Sequence, residues 1–193
     1  MIDKPSYRRY TVSMEERLFL AEFGTKLWTR EYAKEVKFHL IKLLDKLDVG
    51  KAVVLDAEGV EVWDVSFPGE LIVKTVLNMA RDYPGRFLII ENLSPYAREN
   101  LIAALNRDGA VIIERKGRKL QLIGKVHPAD QSTFDAVVEA KGPSTAAALK
   151  ERLKVNLTAM NERLSKLTSL GLIRREKSVS VAGREQYEYW API

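Results

Sequence analysis

Three uninterrupted apolar runs constrain this chain more than any other feature: Ala52-Val53-Val54-Leu55, Phe87-Leu88-Ile89-Ile90 and Val111-Ile112-Ile113. A strand with one wet face alternates apolar and polar residues. Runs without that alternation belong to strands covered on both faces, as in parallel or mixed sheets. Segments of helical periodicity separate them. Thr29 caps one that runs to about residue 47, with Ala33, Val36, Leu40, Leu43, Leu44 and Leu47 on one face and Glu31 at the positive end of the dipole. A second runs from about residue 67 to 81 and stops before Tyr83-Pro84-Gly85. A third has Ser94 as N-cap, Pro95 as its first residue and Gly109 as its stop. Leu18-Phe19-Leu20-Ala21-Glu22-Phe23 adds a strand closed by Gly24, and Leu120-Gln121-Leu122-Ile123 adds one reached across Lys116-Gly117-Arg118-Lys119. Strands alternating with helices predict an α/β unit with a mixed sheet over residues 1–126.

The pattern changes at Val126-His127-Pro128-Ala129-Asp130-Gln131, where residues 127–130 read as a linker. Residues 131–193 carry a separate apolar periodicity, so two cores are expected. A short helix over 133–140 turns Phe134, Val137 and Val138 inward and is broken by Gly142-Pro143. Ser144 or Thr145 caps a helix over 146–153, and Lys154-Val155-Asn156 forms a tight turn. A third helix over about 157–170 ends at Gly171. Two strands follow, Leu172-Ile173-Arg174-Arg175 and Gln186-Tyr187-Glu188-Tyr189-Trp190, with Lys177, Gly183 and Arg184 in the loop between them.

That order, with Ser144-Thr145-Ala146-Ala147-Ala148-Leu149, Leu157-Thr158-Ala159-Met160 and the run Leu164-Ser165-Lys166-Leu167-Thr168-Ser169-Leu170-Gly171-Leu172-Ile173-Arg174-Arg175, resembles the winged helix-turn-helix family. The resemblance covers about a third of the chain and implies that double-stranded DNA is a partner. Met160, Leu164 and Leu167 share one side of the third helix and would fix it against the other two. The opposite side carries Thr158, Glu162, Ser165 and Ser169, flanked by Ala159, Asn161, Arg163 and Lys166. Small and polar side chains there let a helix enter a major groove, and longer ones reach base edges or phosphates. Arg174, Arg175, Lys177 and Arg184 add positive charge around the wing, which positions a protein on the phosphate backbone. Against this stand a modest balance from Gln131 onward, ten Lys and Arg to seven Asp and Glu, and Glu162 near the centre of the face. Glu162 repels phosphate unless it accepts from a cytosine amine. A face that meets only solvent or protein is the other reading. Operators with two half-sites imply a homodimer.

In the first unit the most informative stretch is Val54-Leu55-Asp56-Ala57-Glu58-Gly59-Val60-Glu61-Val62-Trp63-Asp64-Val65-Ser66-Phe67-Pro68-Gly69-Glu70-Leu71. It resembles the STAS domain of anti-sigma-factor antagonists, and more closely the STAS-like variants with Ser-Phe-x-x-Glu-Leu at a helix start. The resemblance extends over roughly residues 17–126. It implies a protein-docking or signal-sensing unit in which Asp64 stands for the motif aspartate and Ser66 for the serine phosphorylated by a partner kinase. The chain departs from the antagonists directly after Ser66, with Phe67-Pro68 in place of a small pair. Read from the residues alone, Ser66 is an N-cap, and Pro68 near the helix start agrees with that.

Composition narrows the remaining classes. The 193 residues contain no cysteine, which removes disulfides, thiolate metal sites and cysteine nucleophiles, and only two histidines, His39 and His127. No zinc spacing, phosphate-cradling glycine loop or nucleophile elbow is present, so no enzyme, cofactor or metal is expected. Asp56, Glu58 and Asp64 sit where strand ends and turns attract carboxylates. Tyr7-Arg8-Arg9-Tyr10 reads as a basic arm or a loose end. The net charge of +5 is compatible with nucleic acid without requiring it. No apolar run of about eighteen residues occurs, so no membrane span is expected. Nor is a secretory signal expected, because Met1-Ile2-Asp3-Lys4-Pro5 lacks the apolar stretch of one. The expectation is a cytoplasmic regulator with a STAS-like α/β unit followed by a winged helix-turn-helix unit. The alternative is a partner switch that does not touch DNA.

Overall fold

The computed structural model of the chain describes residues 15–180 and 182–192; the basic stretch Tyr7-Arg8-Arg9-Tyr10 lies outside them. The first half runs β1 (Glu15–Phe19), a 3-10 turn (Leu20–Phe23), β2 (Lys26–Leu27), α1 (Arg30–Lys46), β3 (Ala52–Asp56) and β4 (Val62–Trp63). A helical stretch follows, made of α2 (Ser66–Pro68), a π-helical turn (Gly69–Val73), α3 (Lys74–Val76) and α4 (Met79–Asp82). After it come β5 (Phe87–Glu91), α5 (Pro95–Asp108), β6 (Val111–Lys116) and β7 (Lys119–Gly124). The C-terminal part runs α6 (Pro128–Glu139), β8 (Ser144–Thr145), α7 (Ala146–Leu153), α8 (Leu157–Ser169), β9 (Arg174–Val179) and β10 (Glu185–Trp190).

The main sheet has strand order β1-β3-β5-β6-β7, parallel throughout except for the antiparallel β6–β7 hairpin at one edge. The order steps one way across the sheet. With right-handed crossovers, such an order places every connecting helix on the same face. The core agrees. Ala33, Val36, Leu40 and Leu44 of α1, Phe67, Leu71 and Ile72 of the helical stretch, and Leu101 and Leu105 of α5 all pack on Val53, Leu55, Leu88, Ile90, Ile112 and Ile123. Trp63 lies fully buried among them and donates from Nε1 to the Ala97 carbonyl at 2.8 Å.

The opposite sheet face, Ala52, Val54, Phe87, Ile89, Val111, Ile113 and Leu122, is covered instead by the C-terminal part. Phe134, Val137, Leu149, Met160, Leu164, Leu167, Leu172, Ile173 and Tyr189 complete that second cluster. The uninterrupted apolar runs of β3, β5 and β6 follow from this. One set of alternate residues meets α1 to α5 and the other meets α6 to α8. There are two cores, and the second is built from both halves of the chain.

Several local differences from the sequence reading have identifiable causes. Residues 127–130, read as a linker, are the N-cap and first turn of α6. His127 Nδ1 accepts the Ala129 N–H at 3.2 Å, and Pro128 occupies the first helical position, where no N–H is needed. The strand read over 18–23 turns into a 3-10 segment after Phe19. The helix read over 67–81 contains the π-helical turn and a break before Met79. Thr75 Oγ1 donates to the Leu71 carbonyl and Asn78 Nδ2 to the Lys74 carbonyl, local bonds that compete with the regular ladder. The two-residue strands β2, β4 and β8 are too short to leave a periodic signal. Among the described residues, no helix is long and apolar enough to cross a membrane.

Candidate functional site

Two regions gather the residues singled out from the sequence. The first is the outer side of α8 with the β9–β10 hairpin. Thr145 Oγ1 caps α7 through the Ala148 N–H, Lys154 takes the left-handed conformation that makes the tight turn, and Asn156 Oδ1 caps α8 through the Ala159 N–H at 2.8 Å. Met160, Leu164 and Leu167 anchor α8. This leaves Thr158, Asn161, Glu162, Ser165, Lys166 and Ser169 exposed, with Ala159 and Arg163 half-buried beside them. Lys166 is not free, because its ammonium meets the Asp130 carboxylate at 2.6 Å.

On the hairpin, the register pairs Lys177 with Tyr187 and Arg175 with Tyr189, so these four share one face. The Arg175 guanidinium stacks 4.5 Å over the Tyr187 ring. Burial pushes the Tyr189 phenol up, and Arg175 opposes that shift. Lys177 and Arg184 are exposed, and the tip turns at Gly183, where φ is +74°. The sequence places Tyr187 in a strand but assigns it no part in the site. Its signal was the alternation Tyr187, Tyr189 on a strand facing Arg175.

Arg174 behaves differently from its neighbour. It lies on the other hairpin face, 4.5 Å over the Trp190 ring and 2.9 Å from Glu176 Oε1. Its side chain packs on the glycines of the first half: a Cβ on Gly50 would lie 3.1 Å from Nη1, and one on Gly85 would lie 3.2 Å from Cδ. Gly171, at φ +71°, brings the end of α8 against α4, where an added Cβ would meet the Met79 Cβ at 3.0 Å. Arg174 therefore belongs to the seam between the two halves rather than to an open basic face.

The second region surrounds Asp64 and Ser66. Asp64, not Ser66, is the capping side chain: its Oδ1 accepts the Phe67 N–H at 2.8 Å. Ser66 sits at the first helical position, half-buried, and its hydroxyl donates to the Asp64 carboxylate at 2.9 Å. Ser66 is thus not the N-cap: Val65 precedes the helix, and the capping oxygen comes from Asp64. Thr29, the cap of α1, sends its N–H toward Asp64 Oδ2 at 3.4 Å and does so at φ +70°. That conformation is strained for a β-branched residue.

Three further carboxylates are held by arginines. Asp56 and Glu91 at the ends of β3 and β5 are paired with Arg17, and Glu91 also with Arg115. Glu114 is buried and held bidentately by Arg98. His39 rings against Phe23 and Phe38. Among the described residues, no group of three or more His, Asp and Glu is arranged to hold a metal. Comparison of the chain with protein-family models and with curated proteins gives no match.

Proposed function

We propose that the chain is a DNA-binding transcriptional regulator, with a STAS-like α/β unit in its first half and a winged helix-turn-helix unit from α6 to β10. The observation that carries this reading is the exposed side of α8 beside a hairpin that presents Arg175, Lys177 and Arg184. A helix held by one apolar stripe and polar on its other side fits a major groove, and the hairpin cations fit flanking phosphates. On this reading Thr158, Ala159, Asn161, Glu162 and Arg163 face base edges or adjacent backbone. Arg174 is a packing residue, and Lys166 reaches phosphate only by leaving Asp130. The partner is double-stranded DNA bound by a homodimer in the cytoplasm, and the first half docks a regulatory protein or senses a signal.

Binding of the full chain to a pool of genomic duplexes, followed by fluorescence anisotropy against salt, tests this. Counterion release gives a slope near −0.9 for each phosphate contact, so Arg163, Arg175, Lys177 and Arg184 together give about −3.6 per chain. A slope near zero, or no enriched sequence, overturns the proposal.

The second reading is a partner switch that never touches DNA, in which a serine kinase acts on Ser66. What favours it is the half-buried Ser66 hydroxyl held by a carboxylate at the surface. A flat salt response with a kinase-dependent mass change at Ser66 would support it.

A further inference from the structure

A cleft of about 340 Å³ lies between the start of α1, the π-helical turn and the end of α5. That volume falls at the lower end of small-molecule sites, roughly 300–1,000 Å³. Arg30, Lys74 and Arg107 line it from three separate elements, with Ser66, Glu70 and Asp108 between them. Arg107 lies across the backbone of Gly69, where a Cβ would meet its Nη2 at 3.1 Å.

The charges do not cancel. Arg107 holds Asp108 through two hydrogen bonds, and Lys74 holds Glu70, whose second oxygen lies 4.0 Å from Lys37. Arg30 has no ion pair among the described residues. Among the lining residues three cations therefore face two carboxylates. Their fields converge: the hydrogen bond from Arg107 holds the Asp108 carboxyl below its usual range, and Arg30 and Lys74 add to the effect. Glu70 is buried, which alone would raise its pKa, yet Lys74 and Lys37 hold it below the ordinary value. Even with both carboxylates ionised, one lining cation is left over for a further anion.

We propose that this cleft binds a phosphate-bearing small molecule, its phosphoryl group held by Arg30, Lys74 and Arg107. Guanidinium groups suit phosphate through paired N–H donors, and an ammonium supplies a compact charge beside them. The alternative source of the same group is a phosphoryl ester on Ser66 itself. The geometry disfavours it, because Ser66 Oγ is hydrogen-bonded to the Asp64 carboxylate, and an ester there would set two anions side by side. The site is separate from α8 and its test needs no DNA.

The experiment is calorimetric titration of the full chain with inorganic phosphate and with pyrophosphate at constant ionic strength. Intact-mass measurement of the same preparation runs alongside. One saturable site is expected. Arg30→Gln and Arg107→Gln, both exposed, should each weaken it roughly tenfold or more, the scale of one charge-assisted contact. Asp108→Asn should tighten it by removing a competing carboxylate. Ser66→Ala should leave it in place, and Lys119→Gln on the distant hairpin should have no effect. The absence of saturable binding overturns the proposal, as does binding indifferent to both arginine variants. So does an intact mass carrying a phosphoryl group that Ser66→Ala removes, because the cleft would then serve a modified serine.

Discussion

Replacing Phe87 by Ala tests whether the two halves share one core. Phe87 is 1% exposed and lies in β5 on the sheet face that packs against α6 to α8. Phe→Ala in such a site costs about 3–5 kcal/mol, the lost transfer energy plus the cavity left behind. For a chain of this length each kcal/mol lowers the melting temperature by roughly 2–4 °C, so a fall of about 6–20 °C is expected. The informative readout is where the loss appears. Differential scanning calorimetry should show one transition in both proteins. Hydrogen exchange should accelerate in α8 as well as in β5, because Leu164 and Leu167 lean on the same cluster as Phe87. Two calorimetric transitions, or faster exchange in β5 and α5 with α8 unchanged, would refute the shared core. By the same argument, a fragment of residues 131–193 alone exposes Phe134, Val137 and Leu167 and should not fold to a stable unit.

Three further predictions are independent of this one. On the proposed DNA reading, Arg175→Ala should reduce the magnitude of the salt slope by about 0.9, while Arg174→Ala should leave the slope alone and lower the melting temperature. Gly171→Ala places a Cβ at φ +71° against Met79, so it should destabilise by about 1–2 kcal/mol from the backbone alone, with more from the contact, as read by urea unfolding. Glu70 has a folded-state pKa below its unfolded value: burial raises it, and the bonds and charges of Lys74 and Lys37 more than offset that. Its contribution is complete above the unfolded pKa and disappears as pH falls through the folded one. Glu70→Gln should therefore flatten the acid side of the stability profile, and an unchanged acid limb would show that the ion pair is not coupled to folding.

How much was legible follows the range of the interactions. Ser94, Pro95 and Gly109 mark α5 to the residue, because a capping hydroxyl, a missing N–H and a left-handed stop act within one turn. Thr29 and the turn at Lys154 were equally local. The helical first turn at 127–130 was hidden because His127 is an uncommon cap and Pro128 reads as a breaker as readily as a first residue. Arg174 and Arg175 are indistinguishable in sequence. Only the strand register sends one to Tyr187 and the other to Trp190 and the glycines of the first half. The cleft was invisible for the same reason, since Arg30, Lys74 and Arg107 come from three elements that only the sheet order brings together.

The strand order also links the two candidate regions. Because β1, β3, β5 and β6 step in one direction, α1 to α5 all fall on one face, and the other face requires a cover from later in the chain. The cover is α6 to α8, so the helix proposed to read DNA is seated on the strands whose connecting helices form the cleft. Val53 and Val54 are adjacent on β3, one packed under the helices lining the cleft and the other in the cluster that holds α8. A ligand that shifts α1 or the π-helical turn acts on those strands directly. Interior packing is dense, and a displaced strand moves the layers on both its sides. Coupling between the sites then requires no linker motion. It does require the two layers to share one packed core, which the Phe87 variant tests.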